Sequence, residues 1–185
     1  MPALRIGDLM MTLYLFDLDG TLVHPFTADF RPGVLDWFAT HAVANQIAIA
    51  TNQGGVGLRH WMEDGHFGEP DKYPTEDQAR AHVEAISAAL PGGPYPVFMA
   101  FAYQSQKSGK WAPAPAGCED DPEWSQEWRK PAPGMIFEAM RRLECSRAKT
   151  VMVGDWREDQ EAAENAGVGF VWAVPFFGFD GAAET

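Results

Sequence analysis

Five short apolar runs, at residues 11–16, 46–50, 95–102, 149–155 and 168–174, alternate along the chain with segments of helical spacing. That alternation limits the possible folds more than any other feature of the sequence. Strands that are apolar along nearly their whole length need cover on both faces, and intervening helices supply it. The expected class is α/β: a three-layer, Rossmann-like fold around a central parallel sheet of about five strands.

The segments between the runs carry start and stop signals. Residues 31–45 read as a helix opened by Pro32, with Val34, Leu35, Phe38 and Val43 on one side. Thr75 and an acidic first turn open a helix that runs to Leu90. Pro133 opens another that runs to Cys145, and residues 157–167 read as a short helix closed by Gly167. The irregular stretch 103–130 lies between a strand and a helix of the same core, so it is a loop and not a linker. Loops of that length are usually functional or disordered. With 185 residues there is enough chain for one domain with a full core. The expected division is an N-terminal arm at 1–11, where Met10 or Met11 could be the true start, and a single domain at 12–185.

Composition narrows the function. The net charge of -12 disfavours extended binding to nucleic acid, because the long-range field repels a polyanion. Two cysteines, Cys118 and Cys145, are too few for a disulfide framework or a four-cysteine zinc site, which points to a reducing, cytoplasmic setting. The first residues lack the apolar stretch of a signal peptide or membrane span. The spacing of His60, His66 and His82 suggests no metal site.

The unusual residues fall at the carboxyl ends of the expected strands, where open α/β sheets bind their ligands. Asp17 and Asp19 follow the first run. Two carboxylates so close repel each other and lose solvation if buried, so something must offset them. A hard cation such as Mg²⁺ would do so, and one carboxylate could then attack phosphorus while the other moves a proton. Gly20 would allow the tight turn that aims both inward. A bare Asp-x-Asp-Gly is more often a solvated turn, but here similar signals recur at other strand ends. Thr51 and Asn52, followed by glycines, could offer donors to a phosphoryl oxygen. Arg129 and Lys130 precede a helix, where a lysine could neutralise a nucleophile and phosphoryl oxygens. Asp155 and Asp159, four residues apart, could complete a cation site with Asp17. The glycines after Asn52 are not followed by Lys-Ser/Thr, so a nucleotide kinase is excluded.

Taken in this order, the stretches "DLDGT", "TNQGG", "RKPAPGM" and "VGDWRED" resemble the four motifs of haloacid dehalogenase (HAD) superfamily phosphatases, over residues 13–174. The branch they resemble is subclass IIIA, which holds histidinol-phosphate, heptose-bisphosphate and polynucleotide 3'-phosphatases. The resemblance implies Asp17 as nucleophile, Asp19 as general acid and base, and Lys130 as the third-motif lysine. It implies Thr51 as a phosphate binder and Arg129 as a substrate contact. Asp17, Asp19 through its backbone carbonyl, Asp155 and Asp159 would hold Mg²⁺. The bacterial sugar and histidinol phosphatases of the branch carry a Cys/His zinc site before the lysine. Residues 103–130 have Cys118 and no histidine, so no structural zinc is expected.

About ten residues separate Val23 from the first helix, too few for an inserted cap domain. The fold should therefore be capless, with loop 103–130 as the rim of an open site. Its tryptophans, Trp111, Trp124 and Trp128, either stack on a base or sugar or fold down as a small hydrophobic cluster, the commoner use. The expected function is Mg²⁺-dependent hydrolysis of a phosphomonoester through an aspartyl-phosphate, on a small phosphorylated metabolite. The alternatives are a polynucleotide 3'-phosphatase, which the charge disfavours, and a non-catalytic binding domain of the same fold.

Overall fold

The computed structural model describes residues 11–179; the expected arm at 1–11 falls almost wholly outside them, as does the end of the domain beyond 179. The strands are β1 (Leu13–Phe16), β2 (Gln46–Asn52), β3 (Val97–Ala100), β4 (Thr150–Gly154) and β5 (Gly169–Trp172). They form one sheet in the order β3-β2-β1-β4-β5, with every pairing parallel. The helices are α1 (Val34–His41), α2 (Gly54–Gly65), α3 (Glu76–Ala89), α4 (Gly134–Arg142), α5 (Arg157–Ala166) and α6 (Ala173–Phe177).

Alternation along β1 builds the two cores. Leu13 and Leu15 point to one face, where they meet Met135, Ile136 and Ala139 of α4 and Ala162 and Ala163 of α5. Phe16 points to the other, against Val34 and Phe38 of α1, Val83 and Ile86 of α3, and Ala173 of α6. Each fully buried Leu, Ile or Phe contributes about 1.5–3 kcal/mol, so the layers are held chiefly by these contacts. The small residues of α5 let that helix lie close to the sheet, which matters because its first turn carries Asp159. α3 starts as expected: the Thr75 hydroxyl accepts from Gln78 N at 3.2 Å and the Gln78 side chain accepts from Thr75 N at 2.9 Å.

Several expectations need correction. The first helix begins at Val34, after Gly33 at φ 79°, and gives way to a 3₁₀ turn at Ala42–Ala44. Val34 and Phe38, one turn apart, face the core, whereas Leu35 is rotated away from them and Val43 is 91% exposed. α2 was not foreseen, because its first turn contains Gly54, Gly55 and Gly57, all poor helix formers. Gly57 is there for contact: a Cβ would lie 2.2 Å from the Phe101 carbonyl. The last apolar run also divides, with its end turning into α6 at Ala173.

The strand order places the topological switch beside β1. The chain steps from β1 to β2 and β3 on one side, then returns to β4 on the other. In such sheets the crevice for ligands opens at the carboxyl ends of the two strands flanking the switch. Phe16 is level with Ile49 and with Val153, so the residues after all three strands emerge together. Among the described residues no helix is long and apolar enough to cross a membrane.

Candidate active site

The register sets the site. Asp17 follows β1, and its backbone N–H still donates to Val153 O at 2.9 Å, so its side chain emerges beside the end of β4. Gly20 turns the chain at φ 83°, and a Cβ there would fall 2.0 Å from Asp155 Oδ2. Only a glycine lets the turn and the β4 carboxylate share this space. Asp155 is fixed from the same turn, where the Thr21 hydroxyl donates to its Oδ1 at 3.1 Å.

Lys130 is buried, at 2% exposure, and its ammonium is the centre of the arrangement. It donates to Asp17 Oδ1 at 2.6 Å and to the Ala50 carbonyl at 2.8 Å, and lies 2.6 Å from Asp159 Oδ1. Burial works against the charge, but Asp159 and Asp17 outweigh it and hold the lysine above its ordinary pKa. The other oxygen of Asp159 accepts from Trp156 N at 3.1 Å, so this carboxylate also caps α5. Lys130 is placed by Asn52, whose Oδ1 accepts from Lys130 N at 3.0 Å and whose Nδ2 donates to Lys130 O at 2.9 Å.

Asp17, Asp155 and Asp159 each bring a carboxylate oxygen within 4.8 Å of the others. Burial pushes Asp17 well above the ordinary aspartate pKa; Lys130 opposes this, and the neighbouring Asp159 and Asp155 add to it. Asp155 is raised too, by burial and then by Asp159. Three carboxylates against one ammonium leave a deficit of positive charge. An all-oxygen donor set of this kind suits a hard divalent cation.

Asp19 lies apart from that cluster, at the outer side of the turn. Its Oδ1 accepts from Phe26 N at 2.9 Å and its Oδ2 from Gln53 Nε2 at 3.3 Å. Gln53 also donates to the Thr51 hydroxyl at 3.0 Å, so one amide ties the proton-transfer candidate to the end of β2. Arg129 donates to the Ala102 carbonyl at 3.2 Å and stands in the wall of a cavity of about 560 Å³. Burial lowers its pKa, with Glu158 working the other way.

The HAD-hydrolase-like family matches residues 127–173, the part that holds Arg129, Lys130, Asp155 and Asp159. Over 183 residues the chain is 27% identical to a D-glycero-β-D-manno-heptose-1,7-bisphosphate 7-phosphatase of Mesorhizobium japonicum, covering 92% of this chain and 74% of that protein. Over 41 residues it is 56% identical to the enzyme of the same name from Vibrio cholerae, 22% of each chain. The chain is similar to phosphatases of the HAD superfamily. The fold agrees with a solved D,D-heptose 1,7-bisphosphate phosphatase from B. bronchiseptica, complexed with magnesium and phosphate. That match has a TM-score of 0.57 and 24% identity, and covers 86% of this chain and 79% of that one.

The expected site residues all lie around the carboxyl end of the sheet, but not in equal roles. Asp17, Lys130 and Asp159 form one buried cluster, with the half-buried Asp155 beside them. Thr51 is buried beside it and bonded to Gln53. Asn52, read from the sequence as a donor to phosphate, spends its amide on the Lys130 backbone and on Glu158 Oε2 at 3.1 Å. Gln53 and Glu158 were not singled out. Gln53 could have been read from "TNQ", but its link to Asp19 spans 34 residues and has no local signal.

The loop 103–130 forms no folded cap. A short hairpin pairs Gln104 with Trp111, and a 3₁₀ turn occupies Pro122–Trp124. Two of its tryptophans fold down: Trp124 packs on Phe101, and Trp128 donates its Nε1–H to Met99 O at 2.7 Å. Trp111 lines the cavity beside Arg129. Cys118 is half-buried and packs against the core under α1 and α3.

Proposed function

We propose that the chain hydrolyses a phosphomonoester of a sugar-like metabolite by way of an aspartyl-phosphate on Asp17, with Mg²⁺ as cofactor. The observation that carries this reading is the buried ammonium of Lys130 held between Asp17 and Asp159, with Asp155 alongside. A lysine so placed favours the ionised form of Asp17 against its burial and faces the oxygens of a phosphoryl group bound there. Asp17 and Asp155 are the proposed direct ligands, with the Asp19 carbonyl, because Asp159 already serves Lys130 and the α5 cap with its two oxygens. When bound, the cation would neutralise the phosphoryl oxygens and offset the crowded carboxylates.

In the first step a carboxylate oxygen of Asp17 forms a bond to phosphorus as the ester P–O bond breaks. Asp19, held by Phe26 N–H and the Gln53 amide, gives its proton to the leaving alkoxide. In the second step Asp19 takes a proton from water. The hydroxide formed attacks phosphorus, inorganic phosphate leaves, and the Asp17 carboxylate is restored. Lys130 and the Thr51 hydroxyl hold phosphoryl oxygens in both steps.

The substrate class is drawn from the relatives named above, which act on a heptose bisphosphate, and from the cavity beside the lysine. Its wall offers Gln104, Ser105 and Gln126 with the face of Trp111, groups that suit a polyol. The test is phosphate release from a panel of sugar phosphates, sugar bisphosphates, histidinol phosphate, nucleotides and 3'-phosphorylated oligonucleotides, with Mg²⁺ and with chelator. The expected result is Mg²⁺-dependent release from sugar phosphates that is abolished in Asp17→Asn. Turnover retained in that variant would overturn the nucleophile, and a strong preference for oligonucleotides would replace the substrate class.

A further inference from the structure

We infer that Glu158 sets the charge preference of the cavity, lowering selectivity for substrates that carry a second phosphate. The inference rests on the phosphatase reading above and deepens it. The cavity wall contains three cations, Lys107, Arg129 and Lys130, and among the described residues that line it Glu158 is the one carboxylate. Lys130 is already committed to Asp17 and Asp159. Arg129 is the cation best placed to meet the part of a substrate beyond its ester, but it is not free. One nitrogen donates to Ala102 O, and Glu158 Oε2 stands 3.9 Å from another.

That carboxylate is held in place by more than its attraction to the guanidinium. The same Oε2 accepts from Asn52 Nδ2 at 3.1 Å, and Asn52 is fastened to the Lys130 backbone on both sides. Glu158 is therefore tethered to the framework that carries the phosphoryl site. A neutral polyol can hydrogen-bond to Gln104 or Gln126 without disturbing Arg129. A second phosphate must share the guanidinium with Glu158 and approach a like charge. Glu158 is half-exposed, so water screens the effect and it should be modest.

The test compares wild type, Glu158→Gln, Arg129→Gln and the double variant. Glutamine keeps an oxygen to accept from Asn52 but loses the charge. The probes are glucose 6-phosphate with glucose 1,6-bisphosphate, and fructose 6-phosphate with fructose 1,6-bisphosphate. Glu158→Gln should raise the bisphosphate-to-monophosphate ratio of kcat/KM about three- to five-fold, through the KM of the bisphosphate. The gain should vanish in the Arg129→Gln background. Glu158→Ala, which also loses the bond to Asn52, should move the ratio the same way and provides a second reading if the glutamine variant is unstable. An unmoved ratio in an active protein, or an equal gain without Arg129, overturns the inference and leaves the phosphatase reading intact. A wild type with no Mg²⁺-dependent phosphate release on any phosphomonoester overturns that reading itself. Turnover of other phosphomonoesters but of neither sugar pair removes the sugar class, and this inference with it.

Discussion

The side-chain amide of Asn52 grips the backbone of Lys130 from both sides, accepting from its N–H at 3.0 Å and donating to its carbonyl at 2.9 Å. The two residues are 78 apart in sequence. This contact converts the end of β2 into a mount for the lysine that pairs with Asp17. Asn52→Ala should remove both bonds, at a cost of about 1–3 kcal/mol in stability. It should also lower kcat about 10- to 100-fold, because a small displacement of a charged group at the reacting centre is expensive. Steady-state kinetics beside thermal unfolding would check this. A variant with the stability loss but unchanged kcat would mean that the Lys130 ammonium is held by Ala50, Asp17 and Asp159 alone.

Gly20 and Asp155 make a second sharp prediction. In Gly20→Ala the new Cβ would lie 2.0 Å from Asp155 Oδ2, on a residue at φ 83°. The left-handed conformation costs an alanine about 1–2 kcal/mol, and the collision must also push Asp155 aside. Mg²⁺ affinity should fall at least about ten-fold, since the proposed ligand Asp155 would be displaced. Calorimetric titration of Mg²⁺ into both proteins reads this directly. Retained affinity would show that Asp155 is not a direct ligand.

Metal and pH should be linked, with a definite sign. Asp17 and Asp155 have pKa values raised above those of the unfolded chain, by burial first and by neighbouring carboxylates. Between the ordinary aspartate pKa and the raised values the folded protein binds more protons than the unfolded one. Stability without metal should therefore decline as pH rises through that window. Lys130, raised above the ordinary lysine value, titrates far outside it. A divalent cation held by the ionised carboxylates would reverse the trend. The gain in Tm on adding Mg²⁺ should be small at low pH and grow towards neutrality. A gain that is independent of pH, or absent, would contradict binding at Asp17 and Asp155.

Much of this was legible in the sequence because parallel strands bring their carboxyl ends together. Once Phe16, Ile49 and Val153 are level, the residues after them must converge, and Asp17, Thr51 and Asp155 do. Lys130 could be anticipated only through the motif it completes, since its burial depends on Ala50, Asp17 and Asp159 from three other segments. The glycines of α2 hid a helix, because propensity counts against them, while the close approach of Gly57 to the Phe101 carbonyl requires one. Glu158 read as one more acid at a helix N-terminus; its bond to Asn52 spans 106 residues and is a product of the fold alone.

The rim tryptophans separate stability from recognition. Trp124 is 9% exposed and packs on Phe101 in the core under α1 and α3. Trp124→Ala should cost about 3–5 kcal/mol, the usual range for removing a large buried aromatic. It should also loosen the loop, because the Glu123 carbonyl accepts from Phe101 N at 2.7 Å and the Glu123 carboxylate meets Arg80 of α3. Trp111 lines the cavity and is only half-buried. Trp111→Ala should change Tm little and raise KM for sugar phosphates several-fold, with kcat less affected, because a ring in the cavity wall would meet the leaving group rather than the phosphoryl centre. Thermal unfolding and Michaelis kinetics on both variants would divide the two roles. A Trp111→Ala protein that loses Tm without any change in KM would place that ring in the same structural cluster as Trp124, and the cavity would then recognise its ligand through Arg129 and the glutamines alone.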